Sequence, residues 1–348
     1  MNQRFYKNAG RWFLGNFFTV YPFLIFLLCS CLSEPLLSQK NPVIVHDPVV
    51  IRENGTYYLF CTGLGISMFT SADRNDWTYY GKVFNEIPAW TYAEIDSFRG
   101  HIWAPDITFR NGKYYLYYSI SSFASNRSCI GVATNTTLDT GNPEYHWADM
   151  GIVVQSFPGR DMWNAIDPNL IFDESDVPWM VFGSFWNGIK MVRLDSTLCS
   201  VSEPQQWYTV ARRERTFAIP DTSPGDGAIE APFIFRKHGY YYLFVSFDYC
   251  CRGIKSNYKI MAGRSRNITG PYLDKDNKPL DEGGGTLILS GNERYPGVGH
   301  NAVYTFDGND YLVFHAYDAG KNGRPVLKIL KLNWTDDFWP LADLRADE

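Results

Sequence analysis

Cysteine is scarce and unpatterned in this chain. There are seven in 348 residues, and with Cys29 and Cys31 set aside, Cys61, Cys129, Cys199, Cys250 and Cys251 form an odd set with no C-x-x-C spacing. That excludes a zinc site of the usual ligand spacing and a dense disulfide framework. The adjacent Cys250 and Cys251 read as small apolar residues within or beside a strand, with a vicinal disulfide as the alternative. Positive charge is also sparse. Lys and Arg number 32 against 37 Asp and Glu, a formal net charge of −5 with no long basic run, which argues against a nucleic-acid backbone as ligand and for a neutral polymer. Gly283-Gly284-Gly285 is followed by neither Lys-Ser/Thr nor a helix pattern, so it reads as a turn and not a phosphate loop.

Aromatic side chains are plentiful. They make up 17% of the chain, with 11 Trp, 23 Tyr and 24 Phe, and the surplus beyond packing suits stacking on flat apolar faces such as those of sugars. At the N-terminus, Arg4, Lys7 and Arg11 precede the apolar stretch Trp12–Leu28, the pattern of an export signal. Leu28-Cys29-Ser30-Cys31 resembles a relaxed bacterial lipobox, with Cys31 as the lipidated residue. On that reading residues 1–31 are a lipoprotein-type signal peptide, 32–40 a tether and 41–348 the folded domain, exported and held at a membrane on the periplasmic or cell-surface side. A retained membrane anchor is the competing reading, disfavoured by the short run and by Pro22. Asn54, Asn126, Asn135, Asn267 and Asn333 begin N-x-S/T sequons, which matter only in a eukaryotic secretory pathway.

A strand-turn-strand pattern then returns five times, from His46 (HDPVVIRENGTYYLF), Trp103 (WAPDITFRNGKYYLYY), Asp167 (DPNLIFDESDVPWMVF), Glu230 (EAPFIFRKHGYYYLF) and His300 (HNAVYTFDGNDYLVF). Taking Asp47, Trp103, Asp167, Glu230 and His300 as heads, the aligned apolar residues Leu59, Leu116, Val181, Leu243 and Leu312 follow after 12, 13, 14, 13 and 12 positions. Such a period, punctuated by Asn54-Gly55, Asn111-Gly112, His238-Gly239 and Asp307-Gly308, predicts an all-β, five-bladed β-propeller with the site at the central axis. Equivalent first-strand positions would converge there, bringing together three carboxylates, a Trp and a His.

Carboxylates around one pocket in an exported, aromatic-rich protein are the equipment of glycoside hydrolysis. Environment divides the labour. Glu230, flanked by Ile229, Ala231, Pro232 and Phe233, has the most apolar context and is the expected general acid. Asp47, beside His46, is the expected base, and Asp167 the group that orients the acid and raises its pKa. Three carboxylates binding Ca²⁺ is the weaker reading, since they come one per blade and not from one loop. Trp103 offers an indole to a sugar or packs the channel wall, and a lone His300 reads as a hydrogen-bonding structural residue.

The motifs VHDPVV, WAPDI, NAIDPNLIFD, GSFWNGIK, GAIEAPFIF, FDYCCRG, YKIMAGRS and GHNAV, spread over residues 41 to about 335, resemble glycoside hydrolase family 43. The HDP, GSFWNGI, EAP and GHNAV forms together look like its arabinanases, which cleave α-1,5-linked L-arabinofuranose chains. The resemblance implies an inverting arabinan endo-1,5-α-L-arabinosidase acting on arabinan and arabino-oligosaccharides as a monomer, with Asp47 as base, Glu230 as acid and Asp167 tuning that acid. It also implies that His300 ligates a mostly hydrated calcium ion. Sugar contacts carried over by motif are Asp47, Trp103, Phe123, Asn164, Ile166, Ser184 and Trp186. Ala124, where relatives carry Gly, is a departure that adds a methyl to a subsite. The alternatives are an exo-acting α-L-arabinofuranosidase or β-xylosidase on the same fold, and a non-catalytic glycan-binding propeller.

Overall fold

The computed structural model describes residues 43–347, so the export signal, Cys31 and the tether lie outside the described residues. The chain forms five antiparallel blades, the five-bladed propeller expected from the repeats, each of four strands except that the short Gly63–Leu64 adds a fifth beside His101–Arg110. Blade 1 holds Val49–Glu53, Thr56–Cys61, Ser67–Ser71 and Thr78–Lys82; blade 2 holds His101–Arg110, Lys113–Ile120, Ser128–Asn135 and Ala148–Ser156. Blade 3 holds Asn169–Phe172, Pro178–Phe182, Ile189–Arg193 and Trp207–Ala211; blade 4 holds Ile229–Lys237, Tyr240–Phe247, Lys259–Ser265 and Thr286–Ser290. In blade 5, Val298–Phe306, Asn309–Asp318 and Arg324–Trp334 are followed by the short Pro340–Leu341. The ring closes between the ends of the chain: Ile44 bridges Val326, and the Leu327 N–H donates to Val43 O, so N-terminal residues add a fourth row to blade 5.

Local chemistry explains the blades. Four of the five first hairpins turn on Asn54-Gly55, Asn111-Gly112, His238-Gly239 and Asp307-Gly308, with both residues at positive φ, the two-residue turn that matches strand twist. Blade 3 lacks that pair and spends one more residue, the Asp173 N–H donating to Val177 O and the Asp173 carboxylate accepting the Ser175 and Val177 N–H groups. Second strands such as Lys113–Ile120 are buried almost throughout because neighbouring blades cover both faces, so they read as continuous apolar runs. The core accordingly lies between blades: one cluster joins Tyr117 and Val132 to Met180 and Phe182, another joins Val181 and Met191 to Leu243 and Tyr272.

The structure corrects the register of the five heads. Residues at equivalent bends have φ of 55° at Asp47, 43° at Ala104, 58° at Asp167, 55° at Ala231 and 52° at His300. Trp103 and Glu230 therefore precede the equivalent residue by one. In blades 2, 4 and 5 the bend is a β-bulge, with the strand register shifting between Trp103 and Asp106, Glu230 and Phe233, and Gly299 and Ala302. A bulge re-aims side chains at the end of a strand, and left-handed backbone at a non-glycine residue costs of order 1–3 kcal/mol, so five such bends mark the axis as the functional end.

Candidate active site

Each bend presents a backbone N–H to the preceding blade. Asp47 N–H donates to His315 Nδ1 (3.2 Å), Ala104 N–H to Thr62 Oγ1 (2.8 Å), Asp167 N–H to Ser119 Oγ (3.0 Å) and His300 N–H to Ser246 Oγ (2.9 Å). The acceptors Thr62, Ser119, Ser246 and His315 each lie three residues past the repeat's aligned leucine, and the strand pairing puts Gly183 at that place in blade 3, its N–H donating to Ile166 O as the Thr62 N–H does to His46 O. Glycine has no side chain to accept with. The Ala231 N–H is taken instead by Asp167 Oδ2 (3.2 Å), and the hydroxyl of the next residue, Ser184, donates to Glu230 Oε2 (2.8 Å). These stitching side chains were missed in the sequence, although a repeat alignment extended by three residues shows a Thr, Ser or His in blades 1, 2, 4 and 5.

Asp47 is held from several sides. Its Oδ1 meets His46 Nδ1 at 2.8 Å and His300 Nδ1 at 3.0 Å, while Oδ2 accepts from Thr62 Oγ1 at 2.5 Å. Burial alone would raise its pKa, but the neighbouring His300 and His46 outweigh burial and hold it well below the usual carboxylate range. Asp47 is thus ionised. Asp167 goes the other way: burial, with the charges of Glu230 and Asp47, prevails over His300 and keeps a proton on it near neutrality. Glu230 is only half-buried, its Oε1 accepting from Tyr258 Oη at 2.8 Å and its Oε2 from Ser184. Burial, with the charges of Glu230 and Asp167, lifts the Tyr258 phenol far above its ordinary value, so it remains a donor.

The carried-over sugar contacts divide. Trp103 is half-buried with its Nε1 donating to His101 Nδ1 (3.0 Å), and Phe123 is 81% exposed beside Ala124 in the loop leaving that same end of blade 2. Asn164, Ile166 and Ser184 are buried, Asn164 accepting from Ser128 Oγ at 2.6 Å. Trp186 is 2% exposed and its indole Nε1 donates to Asp221 O, because the loop after blade 3 lies over it. Cys250 and Cys251 lie in the loop after Tyr240–Phe247, where the Cys251 N–H donates to Tyr317 Oη (2.7 Å), itself 2.8 Å from His46.

A metal-binding imidazole generally donates its other ring nitrogen to a carboxylate, and His300 Nδ1 on Asp47 Oδ1 has that arrangement, with Nε2 the atom that could take an ion. Burial would lower the His300 pKa, but pairing with Asp47 and the Asp167 and Glu230 charges raise it to about 9, so an ion must displace a proton to bind.

One ionised carboxylate and one hydroxyl-held carboxyl on different blades of a five-bladed ring match the pattern of a glycosidase family. Residues 35–340 match the family model for glycosyl hydrolases family 43. The chain belongs to that family. Among family 43 relatives it is 49% identical to an extracellular exo-alpha-(1->5)-L-arabinofuranosidase of Cellvibrio japonicus, over 91% of this chain and 90% of the relative. It is 43% identical to an extracellular endo-alpha-(1->5)-L-arabinanase of Bacillus subtilis, over 91% and 93% respectively. Among solved structures, an alpha-L-arabinanase of Cellvibrio cellulosa complexed with arabinohexaose superposes with a TM-score of 0.87 at 49% identity, covering 88% of this chain and 97% of that one.

Proposed function

We propose that this family 43 protein is an exported hydrolase of α-1,5-linked L-arabinofuranosyl bonds in arabinan, acting with inversion. The observation that carries the reading is the placing of two carboxyls on different blades: Asp47 is held ionised by His46 and His300, and Glu230 sits between the hydroxyls of Tyr258 and Ser184. Ionised Asp47 takes a proton from the attacking water, and Thr62 with the two histidines fixes which lone pair is free to do so. Glu230 gives its proton to the leaving glycosidic oxygen. The Ser184 and Tyr258 hydroxyls can each donate or accept, so both serve Glu230 before and after transfer. Asp167, tied to the Ala231 N–H, fixes the backbone beside the acid and keeps a second negative charge away from it.

A calcium ion on His300 Nε2 would supply positive charge at the axis and hold the imidazole in place. Cys31 would carry the lipid anchor, and fatty-acid labelling lost in Cys31→Ala tests it. Substrate is supported by the names of both relatives, which differ in mode, exo at 49% and endo at 43% identity. The motifs leave cleavage mode open, and product lengths released from linear arabinan over time decide it: a spread of oligosaccharides supports endo action, a single short product exo action. A glycan-binding propeller without activity would release no product and keep its affinity for arabinan.

A further inference from the structure

Away from the axis, the outermost strands of blades 2 and 3, Ala148–Ser156 and Trp207–Ala211, enclose a groove of about 730 Å³. Its walls carry two indoles. Trp163 and Trp207 stand 5.3 Å apart at 40°, backed by Phe182, and Trp207 remains 37% exposed. The Trp207 ring is fixed in place, because its Nε1 donates to Gln205 Oε1 at 2.9 Å. At the floor, Lys190 is 9% exposed and donates to Asn187 O (3.1 Å) and Thr209 Oγ1 (2.7 Å), which leaves its remaining valence without a protein partner among the described residues. The other cation, Arg160, is neutralised by Asp161 at 2.6 Å and lies over Phe157.

We infer that this groove is a second carbohydrate site, which takes a neutral pentofuranosyl segment of the polymeric substrate apart from the catalytic axis. The inference rests on the arabinan reading for the identity of that segment. The exposed Trp207 and half-buried Trp163 offer apolar faces to the C–H side of a sugar, with Lys190 at the floor and Gln205 and Asp161 at the edge as hydrogen-bonding groups. An anionic ligand is disfavoured because Arg160 is already paired and the Asp161 carboxylate lines the groove. The groove lies near the active site: Trp163 is four residues before Asp167, so their Cα atoms are at most about 14 Å apart. A chain captured here is kept at high local concentration beside Asp47 and Glu230.

The test is retention of the inactive Glu230→Gln protein in gels cast with linear arabinan, with and without Trp207→Ala, together with wild-type and Trp207→Ala kinetics on linear arabinan and on arabinotriose. Trp207→Ala is expected to weaken retention and raise KM on the polymer about 3- to 10-fold, with kcat unchanged and arabinotriose hydrolysis unaffected. Gln205→Ala, an exposed change that frees the indole without touching the core, should move both readouts in the same direction by less, and stands in if Trp207→Ala melts early. Equal retention and equal KM in both variants overturn the inference, as does equal loss on polymer and trimer, which puts the effect at the axis. Retention by polygalacturonate and not by arabinan overturns the neutral-sugar assignment. A wild-type protein that is retained by arabinan but releases no product sinks the proposed activity and leaves the groove standing.

Discussion

Four joints of the ring are stitched alike and the joint between blades 3 and 4 is not. At the four, a Thr, Ser or His at the end of the second strand accepts the N–H of the next blade's bend. At the fifth, the equivalent residue is Gly183, which has no side chain, so the Asp167 carboxyl takes the N–H while the next residue, Ser184, donates to Glu230. The lesson is that losing a side chain at one repeat position hands its backbone duty to a neighbouring carboxyl and leaves the adjacent residue to serve the acid. An orphaned N–H in this buried setting would cost about 1–3 kcal/mol, which Asp167 prevents.

The largest effect should come from the joint that differs. Glu230→Ala is expected to lower kcat on linear arabinan by at least about 10³-fold while gel retention by arabinan survives; a variant within tenfold of wild type would remove Glu230 from the mechanism. Next, Tyr258→Phe deletes one donor to the acid and should cost roughly 10- to 100-fold in kcat and move a limb of the kcat–pH profile, with little change in melting temperature. An unmoved profile would make Tyr258 a packing residue. Ser119→Ala, at a stitched joint, should instead lower stability by about 1–3 kcal/mol by urea titration. A large activity loss in a fully stable Ser119→Ala protein would erase the distinction between joints.

The joint between blades 2 and 3 also contains Asp106, whose carboxylate accepts the Leu170 N–H at 2.8 Å and the Asn169 amide at 3.3 Å. Burial raises its pKa to about 6 against these bonds. The folded state therefore binds this proton more tightly than the unfolded chain, so the stabilisation is full below about pH 4 and is lost as pH rises through 6. Its contribution should fall by roughly 2–3 kcal/mol across that window, and Asp106→Asn should flatten this part of the urea-midpoint profile; an unchanged slope would exclude Asp106 as its source. The smallest effect expected is from chelation, a fall of a few degrees in melting temperature in wild type and none in His300→Ala. An equal fall in both would place any ion elsewhere.

Much of this was legible beforehand, for physical reasons that differ by residue. The hairpins were legible because Asn-Gly and Asp-Gly pairs require positive φ at both positions, and the chemistry of Asp47, Asp167, Glu230 and His300 because carboxyl and imidazole groups recur at one point of the repeat. The one-residue offset of Glu230 was not legible, since a bulge inserts a residue without a composition signal of its own. The covering of Trp186 by the loop after blade 3 was not legible either, since its partner Asp221 lies 35 residues on in a segment without strand pattern. Tyr258 lies in a third strand, far in sequence from the acid that it holds.

The sequence by itself determined the blade count, the hairpin register and which residue types reach the axis, because these follow from local turn chemistry and a repeated pattern. Only the tertiary structure decided which carboxyl keeps its proton, which hydroxyl serves the acid and where two indoles meet at the rim. Those outcomes depend on burial and on charges from three or more blades, and no single segment contains that information.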